Sequence, residues 1–201
     1  MNILILFLIS YLMGSIPFAL VIGKVFYKTD VREHGSKNLG GGNSGRVLGK
    51  KAGVAVMTLD ILKVSFVIFL SEYFFNDALI MSCSGLIAAA GHCWPVFARF
   101  KGGKAVATMY GFLFGLFVFA GYSPLTFFLP LLTFLIILKI SKIISLSSMI
   151  SALAATIYIF LSTEAKPVQL ALVVFSLLII IRHRKNIERM WKHQENKISW
   201  M

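Results

Sequence analysis

The chain is poor in acids. Its 201 residues hold 8 Asp and Glu against 20 Lys and Arg, for a formal net charge of +12. It has no H-E-x-x-H helix and no cluster of carboxylates of the kind that coordinates a metal. No metal and no cofactor are therefore expected. The G-x-S-x-G elbow is also missing, which excludes the hydrolase type of serine nucleophile. Two cysteines, Cys83 and Cys93, share one apolar stretch; they are too few for a disulfide framework or a zinc spacing and read as small buried residues. There is no internal repeat and no low-complexity linker, so residues 1–201 are read as one domain. No basic segment precedes the first apolar run, which is expected to stay as a span and not to be cleaved as a signal peptide.

What the chain has in abundance is oil. Hydrophobic residues make up 58% of it, and the mean hydropathy is +0.83. The excess lies in long runs, at about 2–23, 52–74, 79–97, 106–120, 124–139, 143–161 and 168–181. A helix needs about 20 apolar residues to cross a bilayer. The fourth, fifth and seventh runs are short by that measure, and a different division of 106–139 would give six. The reading is an all-α integral membrane protein of seven transmembrane helices.

The charges orient the bundle. Apart from Lys63 and Lys166, every Lys and Arg falls in alternate loops or the tail: 24–51, 98–105, the turn with Lys139 and Lys142, and the segment from Arg182 to Lys197. The opposite loops hold only Lys166, with Glu72, Asp77 and Glu164. The positive-inside rule makes the basic side cytoplasmic, with the N-terminus outside and the C-terminus in the cytoplasm. Charge gathered between apolar runs points to membrane lipid, not to nucleic acid.

Three inward segments carry the polar chemistry. The first reads Gly35-Ser36-Lys37-Asn38-Leu39-Gly40-Gly41-Gly42-Asn43-Ser44-Gly45-Arg46. Successive glycines can turn several amides toward one anion, and Arg46 can add a bidentate grip on phosphate. Gly40, Gly42 and Gly45 match G-x-G-x-x-G, but without a preceding strand or a βαβ unit the match carries no dinucleotide fold. The second segment has His92 and Pro95, then Lys101-Gly102-Gly103-Lys104. Ala105 stands where a Walker A loop has Ser or Thr, so this is not one; Lys104 instead falls close to a helix start, where anions are favoured. The third segment places His183 and Asn186 on one face if helical. Asp60 and Lys63, i and i+3 within the second run, read as a structural ion pair.

Taken together, these motifs resemble the bacterial membrane acyl-phosphate:glycerol-3-phosphate acyltransferases over nearly the whole chain. The resemblance runs through Gly14-Ser15-Ile16-Pro17-Phe18, Gly35-Ser36-x-Asn38-x-Gly40, Asn43-x-x-Arg46, Asp60-x-x-Lys63 and Gly91-His92-x-x-Pro95. It continues in Phe100-Lys101-Gly102-Gly103-Lys104, His183-x-x-Asn186-Ile187-x-Arg189 and Glu195-x-Lys197. It implies a seven-span enzyme of the bacterial cytoplasmic membrane with its active site on the cytoplasmic side. The enzyme would transfer a fatty acyl group from acyl phosphate to the 1-hydroxyl of glycerol 3-phosphate, giving lysophosphatidic acid and phosphate. Ser36, Arg46, His92, Lys104, His183 and Asn186 are the expected catalytic residues. Asn38, Gly40, Gly41, Gly42, Asn43, Lys101, Gly102 and Gly103 are the expected substrate-binding ones. Acyl phosphate is already activated, so direct attack needs no covalent enzyme intermediate, and His92 or His183 is the expected base unless a substrate phosphate oxygen serves. A soluble enzyme that makes acyl phosphate is an expected partner at the basic face.

The chain departs from the family in two places. Gly40-Gly41-Gly42-Asn43 stands where the family commonly has Gly-Ala-Thr-Asn, and His193 stands where it usually has glycine. The alternatives are a transporter of a phosphorylated solute and a lipid phosphatase. A transporter tends to show related halves with a site at the midplane; here the halves are unlike and the polar groups lie on one face. A phosphatase would usually offer a nucleophile–base pair.

Overall fold

In a computed structural model, residues 1–163 and 165–198 are described. Glu164, counted above among the outward charges, lies outside them. Among the described residues there is no strand. The helices are α1 (Ile3–Ser15), α2 (Phe18–Tyr27), α3 (Gly41–Val47), α4 (Lys50–Phe75), α5 (Ala78–Cys93), α6 (Val106–Phe119), α7 (Leu125–Ser141), α8 (Ile144–Ser162), α9 (Lys166–Arg182) and α10 (Arg184–Trp191).

The surface shows why these helices belong in lipid. Phe26, Ile140 and Leu161 are 75%, 75% and 83% exposed, while serines such as Ser15, Ser84, Ser147 and Ser151 are buried. Water would penalise that inversion; hydrocarbon does not. Inside, buried side chains of α4, α5, α6, α8 and α9 form one core, with Phe112 and Phe175 in ring contact at 5.3 Å. Buried hydroxyls bond back to carbonyls of their own helices, as Ser10 does to Leu6 at 2.7 Å and Ser148 to Ile144 at 2.8 Å.

Of the seven expected spans, α4, α8 and α5 with the short turn after it are long and apolar enough to cross a membrane. Two more follow if bent pairs count as single spans: α1 with α2, bent by 43°, and α9 with α10, bent by 57°. The run expected at 2–23 is thus not one straight helix. Pro17 has no amide hydrogen and breaks it after Ser15. α6 and α7 are shorter apolar helices. α6 is short because residues 101–104 stay non-helical, folded back beneath α5 through a Gly103 N–H bond to the His92 carbonyl at 2.9 Å.

Helix approach depends on glycine. A Cβ on Gly14 of α1 would collide with the Ala88 backbone of α5, and one on Gly91 would collide with Tyr11 O. Backbone faces backbone here, and a side chain has nowhere to go. Gly14→Val is therefore expected to destabilise the protein by about 3 kcal/mol or more, read as a large drop in Tm or loss of monodisperse protein. Gly45→Ala is the control: its Cβ would find an ordinary contact, 3.7 Å from Gly53 Cα, and Tm should hardly move.

Candidate active site

The glycine-rich segment does not stay a loop throughout. Gly41 to Val47 coil into α3, with Gly40 as extended cap. Gly41 and Gly45 are spaced like a membrane-helix contact motif, and α3 does lie against α4. A Cβ on Gly53 of α4 would stand 2.7 Å from Gly45 Cα, and one on Gly41 2.8 Å from Gly53 O, so Gly41 and Gly53 let α3 lie directly on α4, while Gly45 has room for a Cβ. Asn43 is buried beside them, and its amide is fully used. It accepts from Ser36 N at 2.8 Å and donates to the Val31 and His34 carbonyls at 2.9 and 3.2 Å. It braces the loop that carries Ser36.

α3 and that loop form one wall of a cavity of about 230 Å³. Ser36, Asn38, Gly40, Gly41, Gly42, Asn43 and Arg46 line this wall. Lys104, His183 and Asn186 line the cavity too, as do His92 and Asp60. The structure therefore brings together every expected catalytic residue and most of the expected binding ones. It does not bring in the other three. Lys101 faces a separate cleft with Asp30, Arg32, Glu33, Lys37 and Arg99. Gly102 and Gly103 are buried supports: a Cβ on Gly103 would fall on the His92 ring, and one on Gly102 on the His92 carbonyl. Arg182 clamps this segment, donating to Gly103 O at 2.9 Å and Gly102 O at 3.3 Å while lying over the Trp94 ring.

Sequence reading missed Glu195. It lies on the cavity wall, accepting from Asn186 Nδ2 at 2.6 Å, Arg189 Nε at 2.7 Å and Ser145 Oγ at 2.9 Å. Burial opposes its ionisation, but these three donors outweigh burial and hold its pKa below the usual value. The only available signal was the tail motif Glu195-x-Lys197. His193, at φ 53°, makes the turn that brings Glu195 back. It occupies the left-handed region where the family's glycine would be at ease, so the departure keeps the turn at some strain. The Gly42 departure has room: a Cβ there would meet only Ile144 Cδ1, at 3.8 Å.

Lys104 Nζ donates to Asn186 Oδ1. Burial pushes its pKa down to about 8; Glu195 opposes this, and the cations Arg189, Arg46 and Arg182 add to it. Among the described residues no hydrogen bond or ion pair engages Arg46. Two neighbouring cations, one of them unpaired, make this end of the cavity a place for an anion.

The two histidines differ in tautomer. Lys63 Nζ lies 2.6 Å from Asp60 Oδ1, 2.9 Å from Ile16 O and 3.2 Å from His92 Nδ1. An ammonium only donates, so His92 Nδ1 accepts and its ring proton sits on Nε2. His183 Nδ1 lies 2.8 Å from Ile179 O. A carbonyl only accepts, so Nδ1 carries the proton and Nε2 keeps a free lone pair. Among the described residues no three His, Cys, Asp or Glu side chains come together as a metal site.

A profile described as glycerol-3-phosphate acyltransferase matches residues 4–193. The chain belongs to this family. Glycerol-3-phosphate acyltransferase of Geobacillus kaustophilus is 46% identical over 98% of this chain and 96% of its own. That of Streptococcus pneumoniae is 39% identical over 98% and 93%. Among solved structures, PlsY (YgiH), an integral membrane glycerol 3-phosphate acyltransferase, superposes in its glycerol 3-phosphate form with a TM-score of 0.92 at 36% identity, over 99% of this chain and 96% of that one. Its lysphosphatidic acid form gives 0.89 at 35%. The protein is an acyltransferase embedded in the membrane.

The Lys104 pKa has a consequence for activity. The ammonium is present below pH 8 and lost above it, so anion binding weakens as pH rises through that value. The kcat/KM of acyl transfer should fall above about pH 8, and the step should vanish in Lys104→Arg, whose guanidinium stays charged. A wild-type profile flat to pH 10 would contradict this assignment.

Proposed function

We propose that the protein transfers a fatty acyl group from acyl phosphate to the 1-hydroxyl of glycerol 3-phosphate, releasing lysophosphatidic acid and inorganic phosphate. One observation carries the reading. The cavity joins the Arg46–Lys104 pair to an apolar groove lined by Met57, Ile61, Val106, Tyr110, Phe127 and Leu131. An acyl phosphate has the same two halves: an anionic head and an oily tail.

In this reading the leaving phosphate lies against Arg46 and Lys104, whose charges stabilise it as the acyl–oxygen bond breaks. Ser36, Asn38 and Asn186 orient glycerol 3-phosphate. Its 1-hydroxyl attacks the acyl carbonyl carbon directly and passes its proton to His183 Nε2, from which the proton goes on to the departing phosphate. His92, with its proton already on Nε2, is a donor and not the base. The attack forms no bond to the enzyme. The helices make seven spans in the bacterial cytoplasmic membrane, with the N-terminus outside and the cavity and C-terminus on the cytoplasmic side, where a soluble acyl-phosphate-producing enzyme can dock.

The test supplies purified protein in lipid with palmitoyl phosphate and labelled glycerol 3-phosphate. Labelled lysophosphatidic acid is expected, undiminished by EDTA and not formed from acyl-CoA or acyl carrier protein. Arg46→Ala and Lys104→Ala should each lower kcat by about 10²-fold or more. His183→Gln should lower it by about 10²-fold; full activity in that variant would move the base to a substrate phosphate oxygen.

A further inference from the structure

We infer that the cleft faced by Lys101 binds the headgroup of an anionic phospholipid from the surrounding bilayer. This site is separate from the cavity of Arg46 and Lys104, and it does not depend on the acyl donor or the mechanism proposed above.

The cleft holds about 380 Å³. Asp30, Arg32, Glu33 and Lys37 line it from the segment between α2 and α3, and Arg99 and Lys101 from the turn after α5. Its charges do not cancel. Arg32 grips Asp30 twice, Nε to Oδ1 at 2.9 Å and Nη2 to Oδ2 at 2.6 Å, and Lys24 stands 3.5 Å from the same carboxylate. Asp30 is thereby used up. Among the described residues no hydrogen bond or ion pair engages the side chains of Lys37, Arg99 or Lys101. Of the two carboxylates in the cleft, Glu33 alone remains to face them. Three free cations against one acid favour an anion. Backbone bonds fix both segments: Lys37 N donates to His34 O at 3.0 Å, Phe100 N to Pro95 O at 2.9 Å and Lys101 N to Ala98 O at 3.2 Å. Lys37 and Arg99 sit at φ 59° and 54°, a region that side chains other than glycine seldom enter.

The surroundings of these cations decide what kind of anion fits. The turn ends Ala78–Ala98, a segment long and apolar enough to cross a membrane, so it stands where the chain leaves hydrocarbon. Phe97 and Phe100, within two residues of Arg99, are each 58% exposed. On the other segment, α2 carries Lys24 and ends in exposed Val25, Phe26 and Tyr27. Rings and cations side by side at the end of a span suit the headgroup layer, where rings meet acyl chains and cations meet phosphate. An acidic protein surface would answer the cations and leave the rings in water, as would a free phosphate ester. A phospholipid answers both.

The experiment measures lipid retained by the purified full chain in native mass spectrometry, with the detergent doped equally with phosphatidylglycerol or phosphatidylcholine. The wild type should retain phosphatidylglycerol in preference. Lys37→Gln and Arg99→Gln should each weaken that retention about 5-fold, and together about 25-fold. The Tm in lipid-free detergent should stay where it is, since neither side chain is bonded among the described residues. Glu33→Gln should strengthen retention by removing the repelling carboxylate. Arg184→Gln with Lys185→Gln, exposed cations of α10 outside the cleft, is the control and should change little. Equal retention of the two lipids overturns the site, and so does a folded Lys37→Gln/Arg99→Gln protein that keeps its phosphatidylglycerol. An equal loss in the control also overturns it, by making the attraction a property of the whole basic face. A Tm rise with inorganic phosphate that the double variant lacks would overturn the lipid and give the cleft to a soluble anion.

Discussion

Lys63 carries its charge inside the bundle, in the middle of α4, and three acceptors have to be in place to hold it there. Asp60 supplies one from the same helix, His92 another from α5, and the Ile16 carbonyl the third. The third exists because Pro17 breaks the first apolar run just after it. A charge at such depth must be coordinated by the protein, since no bulk water is at hand. Losing the ammonium would leave Asp60 buried and unpaired, which is costlier than never having placed the pair. The arrangement extends to the site. Lys63 orients the His92 ring, Gly103 lies flat against that ring, and the segment so held carries Lys104 to the cavity.

The cavity's electrostatics follow from a shortage of acid. Arg46 and Lys104 line it, with Arg189 and Arg182 close by; of its two carboxylates, Asp60 is taken up by Lys63 and Glu195 is held among the cations. Its three donors keep it charged, so it offsets part of the positive field and fixes Asn186, which in turn receives Lys104. Arg46 stays without a partner among the described residues. The result is a site whose residual charge is positive and whose geometry is set before any anion arrives, as electrostatic stabilisation of a leaving group requires.

Several features could be read without a structure. Membrane residence follows from hydropathy alone, because lipid demands long apolar segments wherever they fold. The family's motifs pointed to Ser36, Arg46, Lys104, His183 and Asn186, which do meet in space. Roles within the motifs were harder to read. Glycines in a row look alike on paper, whether they cradle an anion or let two helices touch. At Gly41, Gly102 and Gly103 a Cβ would collide with the Gly53 backbone, the His92 carbonyl and the His92 ring, and only packing shows what stands across from each. Lys101 is next to the site in sequence and outside it in space, since the reversal at Arg99 and Phe100, both at positive φ, turns it toward another cleft.

By itself the sequence determined the class of solvent, the basic end of the bundle and the residue types gathered there. Each of those depends on local composition, which needs no partner to be expressed. The tertiary structure alone decided how each histidine ring is hydrogen-bonded and that Glu195 joins the site. Pairing of this kind is a property of contacts between distant segments: Lys63 on His92, and residue 195 folded back over α8. No spacing along the chain records them, because each depends on the distance between side chains that only packing brings together.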